Sequence, residues 1–270
     1  MYKSFYEMER SPFVRDIPPR LLYESPVMAD ILGRLCYVAD RQLFAVVTAD
    51  AGCGKSTLIR RFVSSLPKEE YLFLYLSDSK LTPRWFYKGM LDQLGIESRF
   101  YRGDAKRQLQ KEVEIIRGVQ GKKVVCILDE AHLLEKETIE EFRFLLNYKF
   151  DSMSPMALVL AGQTELWDKL RLQRYAAVRQ RIDINCILPH LDRAETESYI
   201  LSHLKYAGGR KDIFTDKALA EIYRESTGIP RCINRICNGC LMYASQQGKR
   251  LTDEHQVKYV LEHEMLGGDV

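Results

Sequence analysis

Between the apolar run Phe44-Ala45-Val46-Val47 and the helix-like Leu58-Ile59-Arg60-Arg61-Phe62-Val63 lies Ala49-Asp50-Ala51-Gly52-Cys53-Gly54-Lys55-Ser56-Thr57. No other stretch of the chain restricts its fold as much. Glycines followed by Lys-Ser at a strand-to-helix turn make a loop whose backbone N–H groups, with the positive end of the next helix, wrap a triphosphate. Side chains at the glycine positions would block that approach. Residues Ala51, Gly52, Cys53, Gly54, Lys55, Ser56 and Thr57 are therefore the candidate nucleotide-binding set. Lys55 is expected to reach the β- and γ-phosphates and the Ser56 hydroxyl to ligate Mg²⁺. Ala49 stands where the pattern has its first glycine, a methyl being the mildest change at that corner.

The bulk of the chain suits a compact fold built around such a loop. Its 270 residues are 46% hydrophobic and 29% charged, and no window approaches the roughly 18 unbroken apolar residues of a membrane span. Met1-Tyr2-Lys3-Ser4-Phe5-Tyr6-Glu7 has no apolar core and no small-residue cleavage site, so a cytoplasmic protein is expected. Seven irregularly spaced cysteines form no disulfide framework. Cys237 and Cys240 share an apolar helical stripe with Ile233, Ile236 and Leu241 and read as core thiols rather than zinc ligands.

Continuously apolar runs recur at 44–47, 71–76, 124–128 and 157–161, and a fifth strand is expected from Ile182 to Leu188, with helical patterns between them. Strands without alternation, interleaved with helices, indicate a parallel sheet covered on both faces. After Pro189 only helical periodicity appears, over Asp192–Ala207, Thr215–Ser226, Pro230–Ser245 and Thr252–Glu264. The expected fold is α/β, a P-loop parallel sheet sandwiched by helices, followed by a small all-α lid. The expected divisions are an N-terminal extension and first helix over 1–40, the α/β domain over 41–190 and the helical domain over 191–270.

Asp129-Glu130 closes the third apolar run and supplies the second half of a nucleotide site. A carboxylate there holds the Mg²⁺ shell, and the next one polarises the water that attacks the γ-phosphate in line. Asp129 takes the first role and Glu130 the second. His132, alone beside them, reads as a local hydrogen-bond partner.

With these motifs the chain resembles the AAA+ ATPases, and within them the bacterial group of ExeA-type secretion ATPases and transposition regulators of the TnsC and phage Mu B kind. The resemblance runs from Phe5 through the last lid helix. It is anchored by Ala49 to Thr57, Leu128-Asp129-Glu130-Ala131-His132, Leu160-Ala161-Gly162-Gln163-Thr164-Glu165-Leu166, Arg179-Gln180-Arg181-Ile182 and Gly228-Ile229-Pro230-Arg231. It implies that Gln163 is the sensor that orients the lytic water and Arg231 the lid arginine that contacts the γ-phosphate. It further implies that Arg179 or Arg181 is an arginine finger offered to a neighbouring subunit. ATP and Mg²⁺ as cofactors, and a homo-oligomer, ring or filament, follow from the same resemblance.

Charge is unevenly placed. Between Lys80 and Lys123 eleven Lys/Arg face five acids, an excess of +6 in a chain whose net charge is +3. Lys80, Arg84, Arg99, Arg102, Lys106 and Arg107, interleaved with Phe100 and Tyr101, form a candidate surface for double-stranded DNA, gripping phosphates without reading sequence. A solvated helix face is the alternative. The leading expectation is a DNA-binding ATPase that regulates a transposase or integrase. Secretion members of the group carry a membrane span and a cell-wall-binding region after the ATPase module, and the 270 residues contain neither, which turns the expectation away from a membrane. An ExeA-type ATPase in secretion or envelope assembly and a protein-binding nucleotide switch remain the other two readings.

Overall fold

The computed structural model of the chain describes residues 2–77, 81–146 and 154–264, apart from the side chain of residue 144. In chain order the elements are α1 (Tyr2–Phe5), α2 (Pro26–Arg41), β1 (Phe44–Ala49), α3 (Lys55–Ser65), β2 (Tyr71–Leu76), α4 (Pro83–Gln93), α5 (Arg102–Gly118), β3 (Lys123–Leu128) and α6 (Lys136–Leu145). They continue with β4 (Ala157–Gly162), α7 (Glu165–Arg171), α8 (Ala176–Arg179), β5 (Ile184–Leu188), α9 (Arg193–Tyr206), α10 (Asp216–Ser226), α11 (Pro230–Gln246) and α12 (Glu254–His263). The chain divides into two compact units, Met28–Ala51 with Lys55–Leu188, and Met1–Val27 with Gly52–Gly54 and Pro189–Val270.

The first of these is an α/β unit built on a five-stranded parallel sheet of order β2-β3-β4-β1-β5. β1 and β4 lie inside the sheet and every residue of both is buried, whereas the edge strands β2 and β5 are buried only in part. Interior strands of a sheet covered on both faces have no wet side, which is why their sequences lack alternation. The register pairs Thr48 with Gly162, Leu128 with Leu160 and Leu76 with Leu128. The carboxyl ends of β1, β3 and β4 therefore finish side by side. In an open parallel sheet, ligands bind in the crevice beyond those ends. Phe86, Tyr87, Met90, Leu109, Val113, Phe142 and Leu145 cover the sheet from α4, α5 and α6.

The second unit is helical. Asp192 caps α9 in a capping box with Glu195, Thr215 caps α10, and Asp253 caps α12 in a box with Gln256. Each box satisfies two N–H groups that the helix itself leaves unpaired. The expected start of α12 at Thr252 shifts because Thr252 pairs with Phe214 in an isolated bridge, leaving Asp253 as the cap. Cys237 and Cys240 are buried in this core beside Ile233 and Ile236.

Residues 1–27 belong to the same unit, with Tyr6, Met8 and Phe13 buried in its core. Asn238 donates to Phe13 O at 3.1 Å, and the His203 ring lies 2.8 Å from Pro12 O and stacks on Phe13. The expected extended segment is thus fixed by side chains of α9 and α11, and it begins with the short helix α1. At Gly228, φ is +76° and an added Cβ would lie 1.9 Å from Leu191 O, so only glycine fits that turn.

Candidate functional site

The site in the α/β unit starts where β1 stops. Ala49, the last strand residue, is buried, and six residues later Lys55 opens α3. Gly52 and Gly54 both have positive φ, +90° and +96°, so the loop bends in a way that L side chains resist. Gly52 also meets the helical unit's own residues: an added Cβ would lie 2.9 Å from Arg231 Cβ and 3.0 Å from Ile229 Cγ2. The Arg231 N–H donates to Gly52 O at 3.2 Å. Cys53 is buried, Thr57 half-buried, and Ala51 and Ser56 exposed.

Lys55 is buried, and its Nζ lies 3.6 Å from Asp129 Oδ1 and 3.3 Å from Glu130 Oε1. Asp129 follows β3, and its N–H extends the ladder to Leu76 O at 2.8 Å. Its carboxylate is 5% exposed and accepts the Glu130 N–H at Oδ1 and the Tyr75 hydroxyl at Oδ2, both at 2.9 Å. Burial first, and then the negative charge of Asp129, push the Tyr75 phenol up to about 12, so it remains a donor. Glu130 differs from its neighbour. Its side chain is 39% exposed, and its backbone occupies the left-handed region at φ 52°, which costs a non-glycine residue about 1–2 kcal/mol. Strain of this kind gathers at functional sites. Here it turns one carboxylate toward water while the other stays fixed.

β4 completes the constellation. Gly162 lets the strand approach the 3₁₀ turn Ala131–Leu133, since a Cβ there would lie 3.0 Å from His132 N. Gln163 meets the His132 ring twice, its N–H 3.4 Å from Nδ1 and its side-chain nitrogen 3.2 Å from Nε2. His132 Nδ1 is 3.6 Å from Glu130 Oε2, so the ring stands between the glutamate and the glutamine. Lys169 of α7 donates to His132 O at 3.1 Å and Leu134 O at 2.6 Å, fastening the turn. Thr164 donates to Asp50 at 3.0 Å and ties the loop to the same strand end. Lys55, Asp129, Glu130 and Gln163 are thereby brought together within one unit. Tyr75 was missed from the sequence, because only the pairing of β2 with β3 places it beside Asp129.

The two finger candidates lie elsewhere. Arg179 donates to Leu170 O at 3.1 Å and Arg171 O at 2.5 Å, capping the end of α7. Arg181 lines a cavity of about 530 Å³ with Asp40, Phe44, Arg117, Lys123 and Asp183. Phe44 and Lys123 are first residues of their strands, so this cavity opens at the end of the sheet opposite Lys55.

The basic surface is less uniform than its sequence. Lys80 lies outside the described residues. Arg84 and Arg99 are exposed, and the Arg84 guanidinium stands 4.3 Å from the centroid of the Phe100 ring. Trp85, Phe100 and Tyr101 are 51, 69 and 70% exposed, and Lys88 lies 4.7 Å from the Trp85 ring. Lys106, by contrast, is bound 3.1 Å from Oε1 of the buried Glu141, whose second oxygen is 3.7 Å from Arg102. Arg107 pairs with Asp104 at 2.6 Å. These three cations already have carboxylate partners.

Among the described residues, no group of three or more His, Cys, Asp or Glu is arranged to hold a metal, and no helix is long and apolar enough to cross a membrane. Mg²⁺ ordinarily takes one or two carboxylates together with phosphate oxygens, so the lone Asp129 beside a phosphate loop fits it.

Residues 38–170 match the family model described as AAA domain. The chain is 32% identical over 255 residues to general secretion pathway protein A of Aeromonas hydrophila, covering 92% of this chain and 46% of that protein. It therefore spans less than half the length of that relative. The fold is similar to the Aeropyrum pernix ORC2 protein in its ADPNP-ADP complexes, with a TM-score of 0.69, 14% identity, and coverage of 94% of this chain and 71% of that one. It is also similar to Drosophila ORC bound to DNA, with a TM-score of 0.70, 17% identity, and coverage of 98% and 66%. Those two likenesses concern the fold alone. Residues 38–170 of this chain are an AAA domain, and the chain is homologous to the secretion pathway protein.

Proposed function

We propose that the chain is a Mg²⁺-dependent ATPase that assembles with copies of itself, binds duplex DNA without reading its sequence and regulates a transposase. The observation that carries the ATPase reading is Lys55, a buried ammonium whose partners are two carboxylates at the mouth of a glycine loop. A triphosphate offers Lys55 a stronger set of acceptors, and its arrival would release both carboxylates for other work. Ser56 and Asp129 would then hold Mg²⁺, which neutralises charge on the phosphates. Glu130, exposed to water, orients the attacking molecule and takes its proton, with Gln163 positioning the same water. Arg179 or Arg181 serves a neighbouring subunit's nucleotide, since Arg181 lies at the far end of its own sheet and Arg179 is engaged with α7 carbonyls. A finger of this kind contributes about 10³-fold or more in rate and makes turnover depend on assembly.

DNA binding is supported by the exposed cations and rings of α4 and the segment before α5, and by the fold's likeness to an ORC assembly bound to DNA. An ATPase of secretion or envelope assembly is the second reading, favoured by the 32% identity to the secretion pathway protein. Sedimentation of the chain with ATP, with and without duplex DNA, separates them. The first reading expects ATP-dependent assemblies that retain DNA and dissolve in high salt. Assembly with no retention of DNA favours the second. In either case Glu130→Gln is expected to bind ATP normally and to lower turnover at least about 100-fold, and normal turnover would remove Glu130 from its role.

A further inference from the structure

Tyr75 reaches the nucleotide crevice from the edge of the sheet, and the reaction described above leaves it without a role. It is 42% exposed on β2, an edge strand. Its hydroxyl donates to Asp129 Oδ2 at 2.9 Å, while Oδ1 is held by the Glu130 N–H and faces Lys55. Tyr75 thus supplies the donor that fixes the second oxygen, and with it the rotation of the carboxylate about its own axis. Tyr75 is fixed in turn from α4. Its N–H donates to Gln93 Oε1 at 2.8 Å and its carbonyl accepts from Gln93 Nε2 at 2.8 Å. The side-chain amide thereby takes the place of a further strand on the free edge of β2. Gln93 Nε2 also lies 3.4 Å from Gly89 O, one turn back on its own helix.

We propose that Tyr75 is a positioning residue for the metal-site carboxylate Asp129, and that Gln93 sets it in place, so that α4 and Asp129 are joined through Gln93 and Tyr75 in series. The proposal rests on the reading of Asp129 as the Mg²⁺ carboxylate. A fixed donor on each oxygen leaves the remaining acceptor directions aimed into the crevice, and loss of such an outer donor lowers metal affinity by about 10–100-fold.

The test titrates Mg²⁺ into the full chain carrying a fluorescent ATP analogue and compares nucleotide affinity with that in EDTA. Tyr75→Phe is expected to need about 10-fold more Mg²⁺ for half-maximal tightening, with its affinity in EDTA and its Tm unchanged. Gln93→Leu is expected to shift the same curve less, and the double variant no further than Tyr75→Phe, because both act through one bond. Wild-type Mg²⁺ dependence in Tyr75→Phe overturns the proposal, as does a parallel fall in Tm and EDTA affinity, which assigns the hydroxyl to the fold. Asp129→Asn is the control for the underlying reading. Unchanged Mg²⁺ dependence there defeats the assignment of Asp129 itself, and the proposal with it.

Discussion

Lys55 and Lys106 each reach a buried carboxylate in the α/β unit, and the surroundings of the two pairs differ. Lys55 stands 3.3 and 3.6 Å from two carboxylates, one of them with a 39% exposed side chain on a strained backbone. Lys106 lies 3.1 Å from Glu141, whose same oxygen also accepts from the Tyr87 hydroxyl at 2.7 Å and whose other oxygen faces Arg102. Both ammonium groups offset the cost of burying negative charge. The Lys55 contacts are the longer ones, and Lys55 follows a loop with two positive-φ glycines. On the proposed reading the first pair gives up its ammonium to phosphate, whereas the second ties α4, α5 and α6 together through Tyr87, Lys106 and Glu141.

The sharpest break of that comparison is the paired substitution. Lys55→Ala is expected to lower ATP affinity at least about 100-fold while the chain stays folded, because phosphate charge is left without its ammonium. Lys106→Ala is expected to leave ATP affinity unchanged and to cost about 1–3 kcal/mol of stability through Glu141. Binding isotherms and denaturant melts read the two effects, and a reversed pattern would exchange the roles of the two lysines.

A smaller effect separates the cations of the basic surface. Arg84 and Arg99, exposed, are expected to give about a tenfold loss of DNA affinity when both become Ala. The salt dependence of binding should then weaken by about two counterions. Lys106 and Arg107, held by Glu141 and Asp104, are expected to change DNA affinity less. Equal losses for the two pairs would show that the intramolecular partners yield to phosphate.

The smallest effect is one of pH. Burial raises the Glu141 carboxyl, but the hydrogen bonds from Tyr87 and Lys106 outweigh it and hold the group below its ordinary value of 4.5. A lowered folded value means stability that is present above that ordinary value and is lost as pH falls through the folded one. Glu141→Gln is therefore expected to be less stable at pH 7 and to close the gap below about pH 4.5. An unchanging gap in acid melts would deny Glu141 this role.

Much of the molecule was legible in the chain because its signals are local. The glycine loop and the apolar runs each lie within a few neighbouring residues. The helices Glu165–Arg171 and Ala176–Arg179 were not legible, being too short to show a period. Residues 1–27 carry no regular pattern, and their place is decided by Phe13 and Pro12 against His203 and Asn238, some 190 and 225 positions away.

What the amino-acid order determined alone is the chemistry available: a lysine and a serine after a glycine loop, two carboxylates after a strand, and a run of cations between Lys80 and Lys123. What only tertiary structure decided is which of these groups meet. The sheet order β2-β3-β4-β1-β5 sets Asp129 beside Lys55 and Tyr75, and Gln163 beside His132. The same packing takes Lys106 out of the free surface and leaves Arg84 on it. Strand pairing and burial act between residues far apart in the chain, and no local pattern records their outcome.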